Sequence, residues 1–148
     1  MMSNFDLHNT ECLAFMRQME NTAVDCVVTD PPYGIGADRR QSNRANKQHG
    51  AALAPSRDYG ATDWDFAAPA DDVFSEMRRV SSHQIVFGGN YFTHMLPPSP
   101  SWIIWNKDNG NNGYADFEMA WTSHKKAARM VKWRWQGMLQ QAGFPKDT

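Results

Sequence analysis

The spacing of apolar positions changes period several times along the chain, and each change marks an element. Leu13, Met16 and Met19 recur every three residues, with Cys12 and Phe15 widening the face. This predicts a core-facing helix from a cap at Asn9 or Thr10 through about Glu20, preceded by a short strand over 5–8. The run Val24-Asp25-Cys26-Val27-Val28-Thr29 is β-branched and apolar, as a central strand buried on both faces requires. Over 34–63 apolar residues are few and no period holds, so this stretch reads as a long loop. Over 71–80 a helical period returns, with Val73, Phe74, Met77 and Val80 inward and Arg78 and Arg79 outward. A strand over 84–87, a Gly88-Gly89 turn and a short helix over 90–96 come next. Past the loop Pro97-Pro98-Ser99-Pro100, a Trp- and Ile-rich strand over 101–107 and another over 117–123 flank a glycine- and asparagine-rich turn, which predicts an antiparallel pair. The fold class is α/β, and 148 residues make one domain by length, 1–148.

Composition narrows this reading only in places. The formal charge is -1, so any nucleic-acid face must come from a local cluster of bases. Two clusters exist. The loop over 34–63 carries Arg39, Arg40, Arg44, Lys47 and Arg57 against Asp38, Asp58 and Asp63. It reads either as a mobile flap that orders on DNA or as a solvated loop. The segment over 124–148 is a basic aromatic tail in which Lys125, Lys126, Arg129, Lys132 and Arg134 interleave with Trp133 and Trp135. It fits phosphate contact with stacking, or an edge strand whose alternate residues pack. Cys12 and Cys26 lack a metal-type spacing and read as two buried thiols in a reducing, cytoplasmic setting. Five scattered histidines form no ligand pattern, and no apolar stretch approaches membrane-spanning length, so no metal, membrane segment or signal peptide is expected.

The densest chemistry lies where the first strand ends, at Asp30-Pro31-Pro32-Tyr33. Two prolines remove two backbone donors and push Asp30 to an extended conformation, leaving a corner of acceptors with a carboxylate and an aromatic face. Such a corner suits an amino group on a flat ring: the carboxylate and a proline carbonyl accept its hydrogens while the tyrosine stacks on the ring. A plain turn is the other reading, because Asp and Pro are common turn residues. A position at the carboxyl end of a strand favours the site, since open α/β sheets bind ligands there. The Gly88-Gly89 pair does not satisfy GxGxxG and reads as a tight connection more readily than as a phosphate cradle.

The stretch VDCVVTDPPYGIG, with WDF at 64–66, IVFGGNYF at 85–92 and WIIWNK at 102–107, resembles the amino-methylating DNA methyltransferases. It is similar to their permuted group, in which the catalytic half precedes the cofactor half. The resemblance implies part of a Rossmann-like methyltransferase sheet, with parallel strands, an antiparallel final pair and flanking helices. It also implies methyl transfer from S-adenosylmethionine to DNA, with adenine as the target because the tetrapeptide begins with Asp. Asp30, Pro31, Pro32 and Tyr33 would be catalytic. Glu11 and Cys12, in the place of a segment whose acid lies near the cofactor's adenine ring, would bind cofactor together with Asp30. DNA would meet Arg39, Arg40, Arg44, Lys125, Lys126, Arg129, Lys132 and Arg134.

In the permuted group the glycine-rich cofactor turn comes after the catalytic half, and this chain reaches Thr148 about where that segment would start. The cofactor site is therefore expected to be completed from elsewhere. A strand ending at Thr29 without its second neighbour would expose an edge, and the readings are that a second chain carrying the other half or a homodimer covers it, that the sheet rearranges locally, or that the chain is poorly stable. A non-catalytic DNA-binding or interaction remnant of such an enzyme is the alternative.

Overall fold

The computed structural model describes residues 5–36, 65–109, 115–136 and 139–140. Contacts divide the chain into two units, Met1–Thr29 with Ala70–Thr148, and Asp30–Pro69. In the first unit the elements are α1 (Cys12–Met16), β1 (Val24–Thr29), α2 (Asp71–Val80), β2 (Ser81–Phe87), a single 3₁₀ turn (Gly89–Tyr91), β3 (Trp102–Asn106), β4 (Phe117–Thr122) and β5 (Arg129–Lys132). A small antiparallel pair, β6 (Trp135–Gln136) and β7 (Leu139–Gln140), ends the described chain.

The five longer strands form one open mixed sheet in the order β1-β2-β4-β3-β5. β1 runs parallel to β2, and β5 parallel to β3. β4 lies between β2 and β3 and is antiparallel to both. Four strands therefore share one direction, and their carboxyl ends share one edge. The protein is thus a mixed α/β fold, and the antiparallel pair predicted for the two strands flanking the glycine-rich turn is present as β3 and β4.

The core gathers Phe74, Met77 and Val80 of α2, Val86 of β2, Ala120 and Trp121 of β4, and Phe92 and Leu96 beyond the 3₁₀ turn. The Phe74 and Phe92 rings meet at 5.1 Å. Helix α2 has Asp71 and Asp72 in its first turn and Arg78 and Arg79 in its last, which complements its dipole. The two arginines do not simply face outward as expected. Arg78 donates to the Met95 carbonyl at 3.1 Å. Arg79 donates to the carbonyls of Met16 and Met19 at 2.7 and 2.8 Å and to Asn21 Oδ1 at 2.9 Å.

Those bonds explain why α1 is shorter than its apolar period suggested. Its cap is Glu11, not Asn9 or Thr10. After Arg17 the backbone tightens to three-residue bonds, Gln18 to Phe15 and Met19 to Met16, while Arg79 takes the carbonyls that a longer helix would use internally. Residues 5–8 form no strand, and over 90–96 the predicted helix is replaced by the single 3₁₀ turn and bends.

β1 ends the sheet, with the open edge expected for the strand ending at Thr29, but it is not buried on both faces as its composition predicted. β2 is its one partner among the described residues, Val28 is 61% exposed, and both Cys26 and Cys12 are exposed rather than buried. An apolar run specifies a strand but not how many neighbours it has, and one neighbour leaves half of the strand open to water.

The turn after β2 depends on glycine for space. A Cβ on Gly89 would lie 2.5 Å from Trp121 Cβ and 3.0 Å from the Trp121 backbone nitrogen, while the Gly88 amide donates to the Met119 carbonyl at 2.8 Å. Gly89→Ala should therefore destabilise the fold by about 1–3 kcal/mol through overpacking against β4. Denaturant unfolding of the variant measures this, and an unchanged midpoint would contradict the packing described.

Candidate functional site

The second unit contains the Asp30-Pro31-Pro32-Tyr33 corner and residues 65–69. Because neither proline has an amide hydrogen, the first backbone donors after Asp30 are those of Tyr33 and Gly34. Both point at a single atom, Asp65 Oδ1, at 2.7 and 2.9 Å. The Gly36 amide donates to the Asp65 carbonyl at 3.0 Å. Asp65 is 1% exposed. Gly34 has φ +72°, and a Cβ there would stand 2.7 Å from the Ala68 nitrogen, so both the turn and its close approach require glycine. On the corner's other side the Tyr33 hydroxyl donates to Asp30 Oδ1 at 2.7 Å. Asp30 is exposed, whereas Pro31, Pro32 and Tyr33 are half-buried.

The arrangement is a turn with a fixed backbone and a presented carboxylate. Tyr33 sets the rotation of the Asp30 carboxylate and leaves Oδ2 outside that bond. Asp65 is a site residue that the sequence offers only as the middle of the WDF stretch at 64–66. A signal was available: a corner with two prolines concentrates its donors on the next two residues, and those donors require an acceptor nearby. Phe66 is 67% exposed beside Asp65, while Trp64 lies outside the described residues.

Of the three residues expected to hold a cofactor, Asp30 belongs to the corner, and Glu11 and Cys12 stand at the start of α1. Both Glu11 carboxylate oxygens cap α1, accepting from the Leu13 and Ala14 amides at 3.0 and 2.7 Å. These bonds, the Ala14 one foremost, hold the Glu11 carboxyl below its ordinary range. Cys12 donates weakly to Glu11 at 3.6 Å. Partial desolvation, then the Glu11 carboxylate beside it, raise the Cys12 thiol, so it is not poised as a thiolate. Glu11 and Cys12 are thus engaged with each other and with the first turn of α1.

The basic tail does not form one face. Residues 129–132 are the edge strand β5, as one of its two readings expected, but the strand packs no side: all four residues are exposed, with Met130 at 66% and Val131 at 53%. Lys132 and Arg134 lie at the carboxyl end and reach Asp108 at 3.1 and 3.3 Å. Lys132, with Arg134 after it, holds the Asp108 carboxyl below its usual value. Lys126 and Arg129 instead line a groove of about 170 Å³ with Trp102, Thr122 and His124 at the other end of β3. Lys125 precedes them in the chain. Trp133 is half-buried, and its carbonyl accepts from Trp105 Nε1 at 2.9 Å. The Trp135 side chain and the residues Arg39, Arg40 and Arg44, with the rest of the loop over 37–63, lie outside the described residues.

Among the described residues no three His, Cys, Asp or Glu side chains come together as a metal-ligand group. No described helix is long and apolar enough to cross a membrane. Comparison with protein-family models and with curated proteins found no match.

The capping bonds of Glu11 make a pH prediction. A carboxyl whose folded pKa is lowered contributes stability that is fully present above its unfolded pKa and is lost as pH falls through the folded one. Glu11→Gln should therefore lower the melting temperature at neutral pH. The gap to the unsubstituted chain should close as the buffer is taken below the ordinary glutamate range. Melting curves across that range check the sign, and a gap that widens in acid would contradict the cap.

Proposed function

We propose that this chain carries the target-base half of an S-adenosylmethionine-dependent DNA adenine methyltransferase, in which the Asp30 corner holds the exocyclic amine of a flipped adenine. The observation that carries the proposal is the corner's geometry: an exposed carboxylate rotated by the Tyr33 hydroxyl, on a backbone clamped by Asp65. An adenine amine is a poor nucleophile because its lone pair is delocalised into the ring. Asp30 Oδ2 and the Pro31 carbonyl would accept its two hydrogens, localise the lone pair on nitrogen and fix its direction, while the Tyr33 ring stacks on the base. S-adenosylmethionine supplies an electrophilic methyl group when bound. The mixed sheet, with parallel β1 and β2 and an antiparallel β3–β4 pair, supports the Rossmann-like methyltransferase reading that the resemblance implies.

The second reading, a DNA-binding or interaction protein without catalysis, is favoured by one observation. Both Glu11 oxygens accept from α1 amides, so the carboxylate that the resemblance assigns to the cofactor is engaged within the chain. Titration calorimetry with S-adenosylmethionine separates the two: heat of binding by this chain supports the enzyme, and DNA binding without it supports the alternative.

Methyl transfer is tested with labelled S-adenosylmethionine and unmethylated DNA, alone and with a second chain supplying a glycine-rich cofactor turn. Label on adenine supports the base assignment, whereas label on cytosine alone would overturn it. Asp30→Ala should abolish transfer and leave DNA affinity within about a few fold, because the carboxylate acts on the amine and not on phosphate. A variant with near-normal turnover would remove Asp30 from the chemistry.

The split of the basic tail generates a further expectation. Lys132 and Arg134 stand at the carboxyl edge of the sheet, where β1 also ends, whereas Lys126 and Arg129 stand at the other. Replacing Lys132 and Arg134 by Ala should flatten the dependence of log affinity on log salt by up to about two units, near 0.9 for each phosphate lost. Replacing Lys125, Lys126 and Arg129 should leave that slope nearly unchanged. The reverse result would place DNA on the groove beside Trp102.

A further inference from the structure

We propose that Asp65 is the positioning residue of the amine-holding corner, an inference that rests on the methyl-transfer reading above. Two successive amides, Tyr33 and Gly34, converge on one carboxylate oxygen, with Gly34 in the left-handed region. Successive amides in such a conformation form a concave nest for an anion. Here the anion is a side chain of the same unit, 1% exposed, with its own carbonyl holding the Gly36 amide. Charge-assisted bonds of this kind are short and directional, and burial keeps water from replacing them. The nest begins at Tyr33, whose hydroxyl sets the Asp30 carboxylate. Asp65 therefore acts on Asp30 through the backbone of Tyr33: moving that amide moves the ring and hydroxyl, and with them the acceptor meant for the amine. Asp65 itself touches no substrate in this arrangement. Its role is to hold a proline-stiffened turn that has no donor of its own between Asp30 and Tyr33.

Amide hydrogen exchange, which needs neither DNA nor cofactor, tests the clamp. In Asp65→Ala the Tyr33 and Gly34 amides should exchange about tenfold faster or more, the loss of roughly one charge-assisted bond each, while the Ile85 and Ile103 amides of β2 and β3 keep their rates. Asp65→Asn retains a carbonyl acceptor and should recover most of the protection. Unchanged Tyr33 and Gly34 exchange in Asp65→Ala would overturn the proposal, as would an equal loss throughout β2 and β3. Should the alanine variant not fold, the unsubstituted chain decides. Through-hydrogen-bond coupling from both amides to the Asp65 side-chain carboxyl supports the clamp, and exchange at unstructured-peptide rates overturns it. In the transfer assay, Asp65→Ala should lower kcat on the order of 100-fold with KM for DNA little changed, and Asp65→Asn should restore most of it. Transfer that needs Asp30 but ignores Asp65→Ala would overturn the positioning role alone. Altered exchange together with transfer indifferent to Asp30→Ala would remove the methyl-transfer reading and leave the clamp standing.

Discussion

Trp121 fixes the sheet at the point where its directions change. It is buried in the one strand that runs against its neighbours, opposite Val86 on β2 and Trp102 on β3, and its indole donates to the Pro97 carbonyl at 2.9 Å. The turn leaving β2 must pass over it, and only a residue without a side chain fits. Gly88-Gly89 is therefore explained by packing.

After β1 comes the proline corner, and its stability is a question of donors and acceptors. A buried carboxylate without partners would be costly, and so would partly buried amides without an acceptor. Asp65, Tyr33 and Gly34 solve both problems with two bonds. The two sides are separated by about 30 residues in sequence, as long-range clamps of loops often are. Glycine comes after the tyrosine for two reasons: φ there is above zero, and the Ala67–Ala68 backbone leaves no space for a Cβ.

Much of this was legible in the sequence, for identifiable reasons. The period over 71–80 gave α2 to the residue, because its apolar face is wide and acids and bases sit at the proper ends. The Trp- and Ile-rich run and the glycine-rich turn gave β3 and β4. What failed was burial and local competition. Val24 to Thr29 reads equally well as a central or an edge strand, since composition cannot count partners. The length of α1 was set by Arg79, some 60 residues away, which takes the Met16 and Met19 carbonyls. Glu11, which resemblance placed beside a cofactor, has both oxygens on α1's first turn, a local competition that a motif match does not weigh. Asp65 went unread because its partners are backbone amides, which leave no trace in side-chain patterns.

The basic tail shows how charge in a row of sequence differs from charge on a face. A strand advances about 3.3 Å per residue, so the four residues of β5 carry its first and last charges to opposite ends of the sheet. At the carboxyl end Asp108, itself in the left-handed region at φ 47°, accepts from both Lys132 and Arg134. These pairs are exposed and screened by water, so they restrict where the two cations point without removing them from use. A phosphate arriving there would meet two side chains already drawn to one place and would have to compete with a single carboxylate for them. At the amino end Lys126 and Arg129 flank an open groove, and Asp108 is too far along the strand to orient them. The two ends therefore differ in kind: at one a carboxylate orients the cations, and at the other they flank an open groove.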